Sequence, residues 1–582
     1  MNPHPKPTLS SRPQNRRRFL DFLPVFLLAS LGVSSADLDA QNCRLVADIS
    51  PGAGTSSPSE LYCAFGDTLF FSAHNGKIGQ EPWVVKAGGK PILLKDIRSS
   101  GGSLPRDFIA CGSHVFFTAD DGKVGRELWV TDGTNAGTHL VQDINGLRTS
   151  SDLRDLACIG DKVVFRASEA KHGSEIWVSD GSPAGTVLLK DIRPGTRGSD
   201  PQEMTTCGGR VFFNANDGKT GAELWVTDGT PIGTVQLKDI NAGVNSSSPQ
   251  NLYCHFGTLF FAATAGRQGS ELFQSDGTRK GTVLVKDINT SGSSTPRQFT
   301  SCGNKLFFVA ATFTFGSELF VHDATGTRMV RDIRSKGSSS PLELVCANGT
   351  LFFTASNAAN GYELWKSDGT TAGTVLVKDI SPGSTSSAPN GLTSVGARVY
   401  FQANDGKAKG LWVTDGSTAG TKRICPKLTF PRNFALCGCD LFFSAYTAQT
   451  AHELYAIDAP GASVRSFAAS CAPQDASMSA TLPVLGKTMT LSGKSAPKGG
   501  VGFVLLGTRA PLPQKLPNGC NIHVQSILML TVVTTPKWSL GLAIPNFTSL
   551  DGACIATQTL WINIPNLFPI HSTNALLLGL GH

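Results

Sequence analysis

The chain of 582 residues is too long for one ordinary domain and large enough for an extensive core. With 40% hydrophobic and 16% charged residues it is neither disordered nor membrane-like in bulk. The formal net charge is +7, but residues 1–36 hold Lys6, Arg12, Arg16, Arg17 and Arg18 against Asp21. The remainder is near +3, about what a scattered surface carries, and argues against a nucleic-acid partner.

Residues 1–36 read as a signal peptide. The apolar run from Phe22 to Val33 has the length of an export h-region and is too short to cross a bilayer, and Ser34 and Ala36 offer small residues for cleavage. Arg16-Arg17-Arg18-Phe19-Leu20 resembles a twin-arginine signal, although Asn15 and Asp21 depart from the usual flanks, so the Sec and twin-arginine routes both stay open. The expected location is secreted, cell-surface or periplasmic. No later stretch reaches transmembrane length without polar interruption, so the mature chain is expected to have no membrane span.

Residues 37–463 are dominated by a repeat. ELWVTDGTNAGTHLVQDI (127–144), ELWVTDGTPIGTVQLKDI (223–240) and ELWKSDGTTAGTVLVKDI (363–380) are near copies. The Asp of the closing Asp-Ile recurs at 48, 96, 143, 191, 239, 287, 332 and 379. Each unit holds four short strands, a to d, separated by turns such as Asn216-Asp217-Gly218 and Asp228-Gly229-Thr230. A four-stranded meander of about 40–50 residues predicts propeller blades. Strand b is apolar at successive positions, as in Val115-Phe116-Phe117 and Leu351-Phe352-Phe353, so both of its faces must be covered. Strand c carries a large ring in every copy: Trp83, Trp129, Trp177, Trp225, Phe273, Phe320, Trp365, Trp412 and Tyr455. A ring at one position in all copies reads as core packing rather than a sugar platform. The count gives about nine blades. The segment Arg44–Ile49, which precedes the first a-b-c set, is expected to pair with strand c of the last blade and close the disc. An open solenoid is the alternative architecture.

The repeated polar residues are Glu81, Glu127, Glu175, Glu223, Glu271, Glu318, Glu363 and Glu453, with Asp132, Asp180, Asp228, Asp276, Asp368 and Asp415 at the c–d turn. Catalysis needs one asymmetric constellation rather than eight copies, so these are expected to satisfy backbone N–H groups and neighbouring Lys or Ser side chains. Asn214 to Gly218 is loosely similar to a calcium loop but lacks its spaced carboxylates and closing Glu. Of 14 cysteines, eight share one repeat position: Cys63, Cys111, Cys158, Cys207, Cys254, Cys302, Cys346 and Cys437. Adjacent blades should lie about 10 Å apart, beyond disulfide reach, which predicts buried free thiols there. Any disulfide would then draw on Cys43, Cys425, Cys439, Cys471, Cys520 and Cys554. His74, His114, His139, His172, His255, His322 and His452 occupy different repeat positions, and no Ser/His/Asp, HExxH or phosphate-loop pattern occurs. Asp161, Glu169 and Glu203 could line a rim, with nothing to set them above ordinary surface charges. No catalytic, cofactor or metal residue is assigned.

Residues 464–582 leave the repeat. Lys487, Lys494, Lys498, Lys515, Lys537, Arg465 and Arg509 face only Asp475 and Asp551, and apolar runs punctuated by Pro and Gly predict a small β-sandwich, in which Cys520 could bridge Cys554 or Cys471.

The unit E-L-W-x-[ST]-D-G-T-x-x-G-T-x-x-[VL]-x-D-I resembles the ELWxxDGT-repeat family over roughly Leu45 to Asp458, with degraded copies at Glu81-Pro82-Trp83 and Glu453-Leu454-Tyr455. The resemblance implies an exported bacterial propeller, sometimes labelled hyalin-like, and brings no reaction or catalytic residue. The tail resembles a β-sandwich of planctomycete-like secreted proteins through Leu550-Asp551-Gly552 and Gln558. Three functions follow as expectations. The first is a monomeric scaffold binding a protein or carbohydrate at its loop rim. The second is a polysaccharide hydrolase or lyase working at the channel mouth. The third is a surface-layer or attachment protein.

Overall fold

The computed structural model describes residues 43–458, apart from 53, 87, 147, 336 and 439, together with the backbone of strands between 464 and 579. The expected signal peptide, Cys439, Cys471, Cys520 and the side chain of Cys554 lie outside the described residues. Strands in the tail pair into six-, three- and two-stranded antiparallel sheets. The expected packing of these into a sandwich also lies outside what is described.

Residues 44–458 form nine four-stranded antiparallel blades. Blade 1 runs Ser59–Ala64 (a), Thr68–Ala73 (b), Glu81–Lys86 (c) and Ile92–Leu93 (d), and blades 2 to 8 repeat the order. Blade 9 supplies Thr429–Cys437, Asp440–Thr447 and Ala451–Asp458, and takes its fourth strand from Arg44–Ala47. Arg44 stands opposite Ala456 and Leu45 opposite Tyr455, which is the predicted closure. Each strand a touches strand a of both neighbouring blades, blade 9 touching blade 1, so nine a strands ring the axis.

The core is nine separate packing layers, one between each pair of blades. Successive strand-b residues point to opposite layers. Phe70 packs with Phe117 and Trp129 of blade 2, whereas Phe71 packs with Phe442 and Leu454 of blade 9. The strand-c rings are buried in these layers, and Trp83 Nε1 donates to the carbonyl of Ala73 at 2.9 Å. This is the reason strand b cannot alternate between apolar and polar: a blade has no wet face.

The free-thiol expectation is overturned. Cys63–Cys437, Cys111–Cys158, Cys207–Cys254 and Cys302–Cys346 are disulfides with Cα atoms 5.2–5.5 Å apart. The sheet-stacking distance of about 10 Å applies to flat layers. These cysteines lie on strand a, where wedge-shaped blades converge on the axis, and they do not share one position: Cys111 and Cys207 end the strand opposite His114 and Arg210, whereas Cys158 and Cys254 stand one residue earlier opposite Val163 and Leu259, so the two members of each pair face one interface from its two sides. They staple blades 9 and 1, 2 and 3, 4 and 5, and 6 and 7. An odd number of blades leaves one over, and blade 8 has buried Val395 at that position. Blade 8 is joined instead through Cys43–Cys425, Cα atoms 6.0 Å apart, to the strand that completes blade 9. That bond does draw on the cysteines outside the repeat position.

Candidate functional site

The repeat motif is consumed by the fold. In the c–d turn of blade 2, Asp132 Oδ1 accepts the Thr134 N–H and hydroxyl, at 2.8 and 2.7 Å. Thr134 Oγ1 accepts the Gly137 N–H, and Thr138 Oγ1 meets Thr131 Oγ1 at 2.7 Å. Gly133 sits at φ +90°, and a Cβ on Gly137 would collide with the Asp132 carboxylate. This is the physical content of D-G-T-x-x-G-T. The Lys before Asp-Ile reaches the next blade: Lys95 Nζ donates to the Thr138 carbonyl at 2.8 Å and Lys238 Nζ to that of Thr282 at 2.8 Å.

The strand-c Glu is a buried clamp on the loop that leads to the next blade. Glu127 accepts the Ser151 hydroxyl (2.6 Å), the Ser151 N–H (3.0 Å) and the Ile144 N–H (3.3 Å). Six other copies make the same contacts with their own Ser and Ile, from Glu81 with Ser103 to Glu453 with Ser56, and Glu175 holds the Ser199 hydroxyl and the Ile192 N–H but takes the Arg193 N–H in place of that of Ser199. Blade 8 has Gly410 there, and Arg423 fills the space of the missing side chain. Burial raises the Glu127 carboxyl to about 7 against the pull of its hydrogen bonds. The folded state therefore holds this proton more tightly than the unfolded chain, and the stability contributed falls as pH rises through that window. The melting temperature of wild type relative to Glu127→Gln, which does not titrate, is expected to drop between about pH 4.5 and 7. The opposite slope would mean that the N–H donors outweigh burial.

The channel mouth is different. Near the start of every strand a, one residue (the second in blades 1 to 8, the fifth in blade 9) bulges into left-handed backbone with φ between 54° and 65°: Glu60, Asp107, Asp155, Glu203, Asn251, Gln298, Glu343, Gly391 and Asn433. The register slips at each of these positions. Eight of the nine are not glycine, a conformation that costs of order 1 kcal/mol or more each, and bulges of this kind re-aim side chains. Carboxylates of the ring reach forward to the next blade: Glu203 accepts the Asn251 N–H at 2.9 Å and Glu343 the Gly391 N–H at 3.0 Å.

The ring is not symmetric. On blades 2 to 4 it encloses a cavity of about 450 Å³ lined by Asp107, Arg154, Asp155, Arg166, Gln202 and Glu203. A smaller one of about 350 Å³, with Glu60 and Arg106, adjoins blades 1 and 2. Arg166 is a single departure in strand b: the equivalent residues are Ser72, Thr118, Asn214, Ala262, Val309, Thr354, Gln402 and Ser444. Arg166 pairs with Asp152 at 2.9 Å and Asp200 at 3.4 Å, and Arg154 pairs with Asp152 at 2.9 Å. Asp155 faces the channel, yet the surrounding protein strips enough water to raise its carboxyl, against the pull of Arg166 and Arg154.

Of the three rim acids singled out in the sequence, only Glu203 lines this cavity. Glu169 contacts His172 Nδ1 in the b–c turn of blade 3, and Asp161 is exposed in an a–b turn. Sequence reasoning missed Asp107, Arg154, Asp155 and Arg166. The available signal was the Arg at a strand-b position otherwise held by small or uncharged residues. His255 Nδ1 meets Ser301 Oγ at 2.7 Å, and the Tyr253 hydroxyl lies 3.2 Å from that oxygen. His255 otherwise faces the rings of Phe256 and Phe260, not a carboxylate, and burial lowers its pKa. The Asn216 and Asp217 side chains cap N–H groups of their own turn at 2.7–2.8 Å. No helix among the described residues is long and apolar enough to cross a membrane.

No family model matches the chain, and no curated protein matches it. Among solved structures, a puromycin hydrolase shares 13% identity over 60% of this chain and 60% of its own, with a TM-score of 0.31. A structure from a study of two prolyl endopeptidases shares 12% over 63% and 56%, with a TM-score of 0.38. A puromycin-hydrolyzing peptidase of Mycobacterium tuberculosis shares 11% over 64% and 61%, with a TM-score of 0.33. This chain thus spans less than two thirds of each. Their likeness is too low to bear on function, and the fold assignment rests on the blade topology. The class defined is a closed nine-bladed propeller with a polar, lopsided channel mouth.

Proposed function

We propose that this chain is an exported, monomeric binding scaffold of the ELWxxDGT-repeat kind, which takes its ligand at the channel mouth on blades 2 to 4. The carrying observation is that the repeat residues are used up by turns, clamps and layers, whereas Arg154, Asp155, Arg166 and Glu203 line an open concavity. Five disulfides suit an oxidising compartment and support export. A closed ring whose outer edge strands are only two to six residues long supports a monomer. Glycan and peptide arrays probed with the full chain test the reading. Bound ligands are expected to lose at least about tenfold in affinity with Asp107→Asn/Asp155→Asn and little with Lys280→Ala in an outer turn. A ligand indifferent to the first variant and lost with the second moves the site to the other face.

A second reading, a polysaccharide hydrolase, is favoured by one observation: three carboxylates, Asp107, Asp155 and Glu203, line one cavity, and loss of water raises that of Asp155. Release of reducing ends that Asp155→Asn abolishes would establish it; binding without turnover would dismiss it.

A further inference from the structure

The bonds that staple neighbouring blades always join the last residue of one strand a to the next-to-last residue of strand a in the following blade: Cys111 to Cys158, Cys207 to Cys254, Cys302 to Cys346 and Cys437 to Cys63. Between blades 5 and 6 those two positions hold His255 and Ser301. His255 Nδ1 meets Ser301 Oγ at 2.7 Å, so a hydrogen bond stands where four other interfaces carry a covalent one. The pair is a fastening and not a nucleophile with its base. The remaining interfaces hold Ala64 and Ala110, Ile159 and Thr206, Ala347 and Ser394, or Val395 and Leu436 there, none of which titrates near neutral pH.

A second histidine enters the same layer. His322 takes the strand-c position that is Thr131, Thr227 and Ser275 in blades 2, 4 and 5, and it meets Thr327 Oγ1 at 2.8 Å. The rings of His255 and His322 lie 6.0 and 5.3 Å from that of Phe260, inside the apolar layer between the two blades. Among the described residues no carboxylate forms an ion pair with either ring. Asp323, beside His322, is committed to Arg328 through two bonds of 2.9 Å. Strand a of blade 5 brings the Tyr253 hydroxyl, and strand d brings Lys286, which donates to the Thr327 carbonyl at 2.8 Å. Strand b starts with Thr258, where blades 4 and 6 have Arg210 and Lys305.

Burial lowers the pKa of both rings; His322 adds to the effect on His255, and Asp323 opposes it at His322. The folded protein therefore takes up these two protons less readily than the unfolded chain. Stability at this interface is full above about pH 6.5 and is lost as pH falls through the two folded values. The Glu clamps of other blades, such as Glu127 and Glu223, are raised and gain over the same fall. We infer that the interface between blades 5 and 6 is a proton-operated seam, at which acid loosens the ring ahead of its other interfaces. No disulfide among the described residues crosses it. The two sides stay tied by residues 287–296 and, round the ring, by Cys63–Cys437 and Cys43–Cys425, so the blades cannot drift apart.

Hydrogen exchange of the full chain at about pH 7.5 and about pH 5, corrected for intrinsic rates, tests this. Peptides covering Thr258–Thr264, Arg297–Cys302 and Lys305–Thr312 should lose at least about tenfold more protection on acidification than those covering Lys162–Glu169 and Gln202–Cys207, at the equally unbonded interface of blades 3 and 4. His255→Gln/His322→Thr should erase that difference. If that variant does not fold, His255→Cys/Ser301→Cys serves: it should form a bond across the interface, seen by non-reducing peptide mapping, and keep its neutral-pH protection in acid. Equal losses at the two interfaces of the wild type, or a difference that survives either variant, overturns the seam.

Discussion

Removing the Cys43–Cys425 bond by paired Cys→Ser substitution is expected to cost about 4 kcal/mol, and removing Cys63–Cys437 as well about 6 more. The two bonds close loops of 382 and 374 residues, the longest links in the protein. They are not independent. While one remains, the other closes only the short circuit between residues 43–63 and 425–437, about 30 residues, and chain entropy makes that loop worth less. Once both are gone the whole ring can open, and the loop-closure entropy of nearly the full propeller is lost. Loss of Cys207–Cys254, which closes 47 residues, should cost about 4 kcal/mol in either background. Guanidinium unfolding midpoints of the single, double and internal variants test this. Additive costs for the two closure bonds would show that the ends of the chain do not share one closure. Non-reducing peptide mapping should find Cys63 with Cys437 and no free thiol at the eight repeat positions.

Glu223→Ala is expected to destabilise the protein by about 4 kcal/mol, although no charge partner is lost. Glu223 is fully buried and accepts the Ile240 N–H at 2.8 Å, the Ser247 N–H at 2.7 Å and the Ser247 hydroxyl at 2.6 Å. Without it two N–H groups and a hydroxyl are left unmet in a dry layer, at about 1–3 kcal/mol each. Asp228→Ala, which removes an exposed turn cap, should cost only about 1 kcal/mol. Hydrogen exchange at Ile240 and Ser247 should accelerate in Glu223→Ala while blades far around the ring stay protected. Uniform acceleration, or a cost no larger than that of Asp228→Ala, would mean that water replaces the clamp.

The two variants bear on how one problem is solved nine times. Eight interfaces use a buried Glu to hold the loop to the next blade. At blade 8, Gly410 and Arg423 replace the clamp and the Cys43–Cys425 bond holds the same stretch of chain. The blade without the Glu is therefore compensated.

Blade count, strand order, closure by Arg44–Ala47 and burial of the strand-c rings were determined by the sequence itself, because each follows from periodicity along the chain: a repeat length, an apolar run, a turn at fixed offset. The role of Glu127 and Asp132 was legible as structural for the same reason. What only the tertiary structure decided depends on radius from the axis, which no spacing along the chain records. Cysteines of paired blades bond because strand a is innermost, where the wedges converge, and because they alternate between its last and next-to-last residues and so face each other across one interface. Asp107, Arg154, Asp155, Arg166 and Glu203 come from three blades; the left-handed bulge at the start of strand a re-aims Asp107, Asp155 and Glu203, and Arg166 joins them from strand b, opposite Arg154.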